Sequence, residues 1–170
     1  MKRFAQTALI LLLILAAASC SPKKLVPGDR INEMELLDFC EGTNLIDLCN
    51  FKTLVEGNCQ VPASVTNLWV SAGWSELNSS DLNAMWETFT WELTFDGHSI
   101  DLESFGTYDL DIYDSISGMR KARVWNFCIS NPTAGVHVTH WVRSYVYDER
   151  EGQEIFDWTF TVLEPGESIP

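Results

Sequence analysis

The stretch Trp86-Glu87-Thr88-Phe89-Thr90-Trp91-Glu92-Leu93-Thr94-Phe95 is followed directly by Asp96-Gly97. In an extended chain Phe89, Trp91, Leu93 and Phe95 share one face, and Thr88, Thr90, Glu92 and Thr94 share the other. That two-residue period defines a strand with one buried side. Asp96 and Gly97 both tolerate positive φ, so they predict a hairpin turn, after which Ile100 and Leu102 resume the alternation.

The same period recurs further along the chain. Val136, Val138, Val142 and Val146 share a face, as do Phe156, Trp158, Phe160 and Val162. The two segments read as an antiparallel pair joined by the charged loop 148–153. Further strands are expected over 66–74, 108–113 and 120–130, the last almost continuously apolar from Val124 to Ile129 and so central. An N-terminal strand is expected near 31–39. Ser80 to Met85 suits a short helix capped by Ser79 or Ser80. Seven or eight short strands with polar turns predict an all-β fold, an antiparallel β-sandwich, behind a cysteine-containing N-terminal extension. The expected division is a signal at 1–19, a tether at 20–28, the extension at 29–62 and the sandwich at 63–165.

Composition fits that reading. The 170 residues are 46% hydrophobic and 12% aromatic, enough for one folded domain. Eleven Lys and Arg against 24 Asp and Glu give a net charge of −13, which argues against nucleic acid as a partner. Lys2 and Arg3 precede an apolar run from Ala8 to Ala18, the layout of an export signal. The run falls short of the ~20 residues that a spanning helix needs. Ala17-Ala18-Ser19-Cys20 resembles the lipobox of bacterial lipoproteins, which implies lipid attachment at Cys20 and a membrane partner through that anchor. Ala16-Ala17-Ala18 also satisfies an A-x-A site, which would give simple secretion instead. Without residues 1–19 the chain carries nine basic against 24 acidic residues, a net of −15.

Four cysteines then remain, Cys40, Cys49, Cys59 and Cys128, an even number that predicts two disulfides in an oxidising compartment with three pairings open. Between Thr53 and Met119 there is no Lys or Arg, and eleven acids accumulate. Among them Asp109, Asp111 and Asp114 are candidate calcium ligands, set against a solvated acidic strand edge.

The segment Pro132-Thr133-Ala134-Gly135-Val136-His137-Val138, with Trp158-Thr159-Phe160-Thr161-Val162, resembles the last two strands of bacterial extracellular immunoglobulin-like domains. Trp86 through Asp96-Gly97 to Phe105-Gly106-Thr107-Tyr108-Asp109, then Val124-Trp125-Asn126, is similar to uncharacterised exported bacterial β-domains. The resemblance implies a sandwich at the cell surface and no activity.

Catalytic chemistry finds little in the sequence. There is no G-x-S-x-G, the cysteines are expected to be bridged, and only His98, His137 and His140 could serve as a base; His137 and His140 point to opposite faces of one strand, each read as an ordinary surface or edge histidine. The remaining surface of interest lies opposite the valines: His137, Thr139, Trp141, Arg143, Tyr145 and Tyr147. If the valines fill the core, Trp141, Tyr145 and Tyr147 form an outer face. That face is expected to be covered by residues 29–61; left open, it would be a ligand face for a glycan or protein partner. The functional expectation is a non-enzymatic, lipid-anchored binding or structural module of the envelope. The alternatives are a carbohydrate-binding module on that face and a small hydrolase.

Overall fold

The computed structural model describes residues 23–49, 59–147 and 150–167. The export segment and the lipid-attachment candidate Cys20 lie outside the described residues. The elements in chain order are β1 (Arg30–Ile31), β2 (Met34–Leu37), β3 (Thr43–Asn44), α1 (Leu45–Cys49), β4 (Cys59–Val61), β5 (Asn67–Trp69), β6 (Gly73–Glu76) and α2 (Ser79–Trp86). They continue with β7 (Phe89–Phe95), β8 (His98–Ile100), α3 (Leu102–Phe105), β9 (Thr107–Asp114), β10 (Gly118–Trp125), β11 (Cys128–Ser130), β12 (Gly135–Tyr147) and β13 (Arg150–Val162).

The described residues form three sheets, with strand orders β4-β13-β12-β7-β8, β1-β2-β11-β5-β3 and β6-β10-β9. The two five-stranded sheets share one buried cluster, in which Leu93, Phe95, Trp141 and Phe160 of the first meet Met34, Leu36, Leu68 and Ile129 of the second. This is the all-β sandwich that the alternation predicts. Among the described residues the strands pair antiparallel except where β4 joins β13 and β3 joins β5, both parallel, and an isolated bridge from Leu25 to Ile100 is parallel too.

The first hairpin matches its sequence. β7 pairs β8 through Phe95↔His98, with Asp96 and Gly97 at φ 47° and 78°, the double left-handed turn those two residues permit. α2 is capped one residue earlier than expected: the Asn78 side chain, not Ser79 or Ser80, accepts the Asp81 N–H at 3.0 Å. The charged segment expected to be a loop at 148–153 is strand from Arg150, and the β12–β13 ladder runs to Tyr147↔Arg150.

The expected central strand over 120–130 is instead two strands in two sheets. β10 pairs β6 and β9, whereas β11 pairs β2 and β5. The chain beside it changes sheets with it, because β5 and β6 divide the expected strand at 66–74. Two backbone bonds hold the paired crossing, Val70 N–H to the Phe127 carbonyl and Trp125 N–H to the Ala72 carbonyl, both 2.9 Å. Strands that bend together keep their ladder partners satisfied through the corner. Gly73 permits the close approach, since a Cβ there would sit 2.1 Å from the Arg123 carbonyl oxygen. Asn126 sits at this corner and its N–H donates to the Gly106 carbonyl at 3.0 Å.

The face of β12 is the reverse of the one expected. His137, Thr139, Trp141 and Arg143 are buried, whereas Val136 and Val138 are 65% and 42% exposed. Register explains it. Thr139 lies across from Phe95 and Trp158, Trp141 from Leu93 and Phe156, and Arg143 from Trp91. Residues directly opposite share a face, so β12 must send inward whatever sits across from the aromatics of its neighbours. Burying four valines would have turned the Phe89–Phe95 and Phe156–Phe160 aromatics outward, a larger apolar loss.

The described residues of 29–61, which are 29–49 and 59–61, do not lie over an outer face. They supply β1, β2 and β3 to one sheet and β4 to the other, and Met34, Leu36, Leu45 and Val61 are fully buried in the same cluster as Trp141. The stretch expected to be a tether is joined to the fold at Leu25, whose N–H donates to the Ser99 carbonyl at 2.8 Å and whose carbonyl accepts from Asp101 N–H. Of the three pairings open in the sequence, the fold takes Cys40–Cys128 and Cys49–Cys59, with Cα atoms 6.1 and 5.2 Å apart. The first ties the chain after β2 to β11. The second ties the end of α1 to β4.

Candidate functional site

The residues singled out in the sequence are placed apart. Trp141 is wholly buried, with Trp91 and Trp158 ring centroids 6.3 and 6.2 Å away. Tyr145 is half-buried and lies against Gly152, where a Cβ would be 2.3 Å from the tyrosine ring. Tyr147 is exposed. The three therefore do not form one open ligand face, a correction that follows from the reversed register of β12.

The acids proposed for calcium are each engaged separately. Arg123 donates to both Asp109 oxygens at 2.6 and 2.7 Å. That bond holds the Asp109 carboxyl below the usual range, against a smaller upward push from desolvation. Lys121 pairs with Asp111. Asp114 accepts the Ser117 and Ile116 N–H groups at 2.7 and 2.9 Å and the Ser117 hydroxyl at 2.8 Å. Its carboxyl is held low, chiefly by the Ser117 N–H. Asp109, Asp111 and Asp114 thus serve a cross-strand ladder and a turn. Among the described residues no group of three or more His, Cys, Asp or Glu is placed to hold a metal ion.

The two histidines on β12 do face opposite ways. His140 bonds Asp157 at 2.6 Å on the open outer face of the sheet, beside Thr94 in the ladder. Among the described residues no hydroxyl bonds to it. His137 is not the surface or edge residue expected. It is 5% exposed, stacked on Phe95 and bonded through one ring nitrogen to Asp96 at 2.7 Å and through the other to the Thr133 carbonyl at 2.8 Å. Both partners can only accept when Asp96 is ionised, so full bonding requires a doubly protonated ring. Burial alone would lower the His137 pKa, but the bonds to Asp96 and Thr133 and the Asp96 charge outweigh it, and the net shift is upward. Asp96 also accepts the Val138 N–H, so the group clamps the β7–β8 turn to β12.

A cavity of about 580 Å³ opens where all three sheets meet α1. That volume is in the range of small-ligand sites. Its walls are Ile46 of α1, Trp69 of β5, Trp74 of β6, Leu110 and Ile112 of β9, and Phe156 of β13. α1 brings Asp47 to the rim because Asn44 opens the helix, its side-chain oxygen accepting the Ile46 N–H at 2.9 Å.

Arg143 and Glu154 complete the lining. Arg143 is 5% exposed. Its guanidinium lies 4.3 Å from the Trp74 ring, with Phe89, Trp91 and Phe156 at 5.1, 5.4 and 5.6 Å. Glu154, directly across the ladder, bonds the guanidinium through Arg143 Nη2. Burying a cation costs several kcal/mol unless it is paired, and one carboxylate with four rings offsets much of that. The offset is incomplete, because Arg143 Nε and Trp69 Nε1 are buried with no hydrogen-bond partner among the described residues. A buried donor left unpaired costs about 1–3 kcal/mol.

The sequence held one signal for this site. Arg143 is in phase with Trp141 on a strand whose buried neighbours are aromatic, and a charge at a buried strand position is rarely incidental. The reversed face hid it. Trp69, Trp74, Asp47 and Glu154 come from four separate elements, and no local pattern unites them. A second hollow of about 570 Å³ beside α2 is lined by Asp109, Asp111 and Lys121; Lys121 pairs with Asp111, and Asp109 is held by Arg123. Comparison with protein families, curated proteins and solved structures finds no match to this chain. Among the described residues no helix is long and apolar enough to cross a membrane.

Proposed function

We propose that the chain is an exported, lipid-anchored, non-enzymatic binding module of the cell envelope, and that its ligand occupies the groove around Arg143. The observation that carries the binding reading is a nine-tenths-buried arginine, caged by four rings and short of one partner, beneath an open apolar groove. Export is supported by the signal-like N-terminus and is compatible with two disulfides. The non-enzymatic reading is supported by the setting of His137 and His140, one locked in the core and one on an open sheet face.

Two measurements test it. Labelling with a fatty acid should mark the wild type and fail for Cys20→Ala; an unlabelled wild type would leave secretion without an anchor. For the groove, the side-chain N–H signals of Trp69, Trp74 and Arg143 should shift in NMR titrations with at least one of three probes: neutral hexasaccharides, tripeptides or palmitate. Trp141 should stay unmoved. No shift with any probe removes the binding reading.

A further inference from the structure

We infer that the groove takes a ring of a neutral sugar, a conclusion that rests on the groove being the binding site. Four features lead there. The first is a pair of donors on side chains that line it, Arg143 Nε and Trp69 Nε1, which are covered and have no hydrogen-bond partner among the described residues; a turn of either side chain into the groove would present them to ligand oxygens. The second is a pair of carboxylates at the same lining, which call for ligand groups that donate. Asp47 has no hydrogen-bond or ion-pair partner among the described residues, and Glu154, 43% exposed, has spent one oxygen on Arg143. A hydroxyl donates and accepts at once, so a polyol serves both sets. An acyl chain or an apolar peptide side chain leaves both unserved.

The third feature is the wall. Trp69, Trp74 and Phe156 are half-buried rings, and the C–H faces of a pyranose suit such surfaces where a fully solvated ligand does not. The fourth is charge. Glu154 already neutralises Arg143, Asp47 adds a negative charge, and the chain carries a net of −13. An anionic ligand meets repulsion at this mouth, and a cation finds the aromatic cage already filled by Arg143. Neutral, ring-shaped and rich in hydroxyls is the chemistry that remains.

The test is calorimetry of the exported chain with α- and β-linked glucose hexasaccharides, a uronate hexasaccharide and palmitate. Neutral hexasaccharide binding is expected, weakened at least tenfold by Asp47→Asn and by Trp69→Ala, and unchanged by Tyr113→Ala on the exposed edge of β9. Asp47→Asn removes a charge at the rim without touching the core, so it stands if Trp69→Ala fails to fold. Preference for the uronate would overturn the neutral class. Binding of palmitate alone, with loss in Trp69→Ala, would overturn the sugar and leave the groove as the site. No binding of any probe would overturn both.

Discussion

Trp141→Ala separates the observed face of β12 from its opposite. The residue is wholly buried between Trp91 and Trp158, across the ladder from Leu93 and Phe156. Truncating a buried aromatic costs roughly 3–5 kcal/mol. The Trp141 indole N–H has no partner among the described residues, so its removal returns part of an unpaired-donor penalty of about 1–3 kcal/mol. The net loss expected is about 2–4 kcal/mol, or a Tm lowered by roughly 5–12 °C in a chain of this size. The paired control is Val136→Thr, which keeps the β-branched shape at a position 65% exposed and should stay within about 0.5 kcal/mol. Urea unfolding followed by circular dichroism measures both. A Trp141→Ala loss below about 1 kcal/mol together with a Val136→Thr loss above it would put the valines in the core and refute the register.

Other expectations follow from the same contacts. Chain-entropy arithmetic assigns about 4.6 kcal/mol to Cys40–Cys128, whose ends are 88 positions apart in sequence, and about 2.7 kcal/mol to Cys49–Cys59, whose ends are 10 apart. Serine replacement of the first pair should therefore lower the urea midpoint more than replacement of the second. The His137 clamp stabilises the protonated ring, so its contribution is full below the unfolded histidine pKa of about 6.5 and is lost as pH rises through the higher folded value. Stability of wild type should fall over that window relative to His137→Gln, and parallel curves would sink the clamp. Gly73→Ala should cost several kcal/mol in the same unfolding assay, because the clash is with Arg123 backbone and cannot relax by side-chain rotation. Calcium at millimolar concentration should leave the melting temperature unchanged if Asp109, Asp111 and Asp114 serve the ladder and turn; a rise would show a site there.

Strand content, the Asp96-Gly97 turn and the β12–β13 hairpin were legible because they rest on local period and turn chemistry. The face of β12 was not. Alternation gives two faces, and the valines made the wrong one look apolar; only the register against Phe95, Leu93, Phe156 and Trp158 decides between them. The split of 120–130 at Asn126 was equally hidden, since a continuous apolar run reads the same whether it stays in one sheet or crosses between two. Disulfide pairing is a property of the closed fold and was open by nature. The groove combined both problems, as its arginine lay on the misassigned face and its other walls come from elements remote in the chain.

The groove is tested most directly by nuclear Overhauser contacts between the exported chain and a saturating neutral hexasaccharide. Contacts from the Trp69 ring and Arg143 Hε to sugar ring protons are the expected result. Contacts from Val138 and Ile155 on the outer sheet face, or none from the groove under saturation, would contradict the assignment of the site.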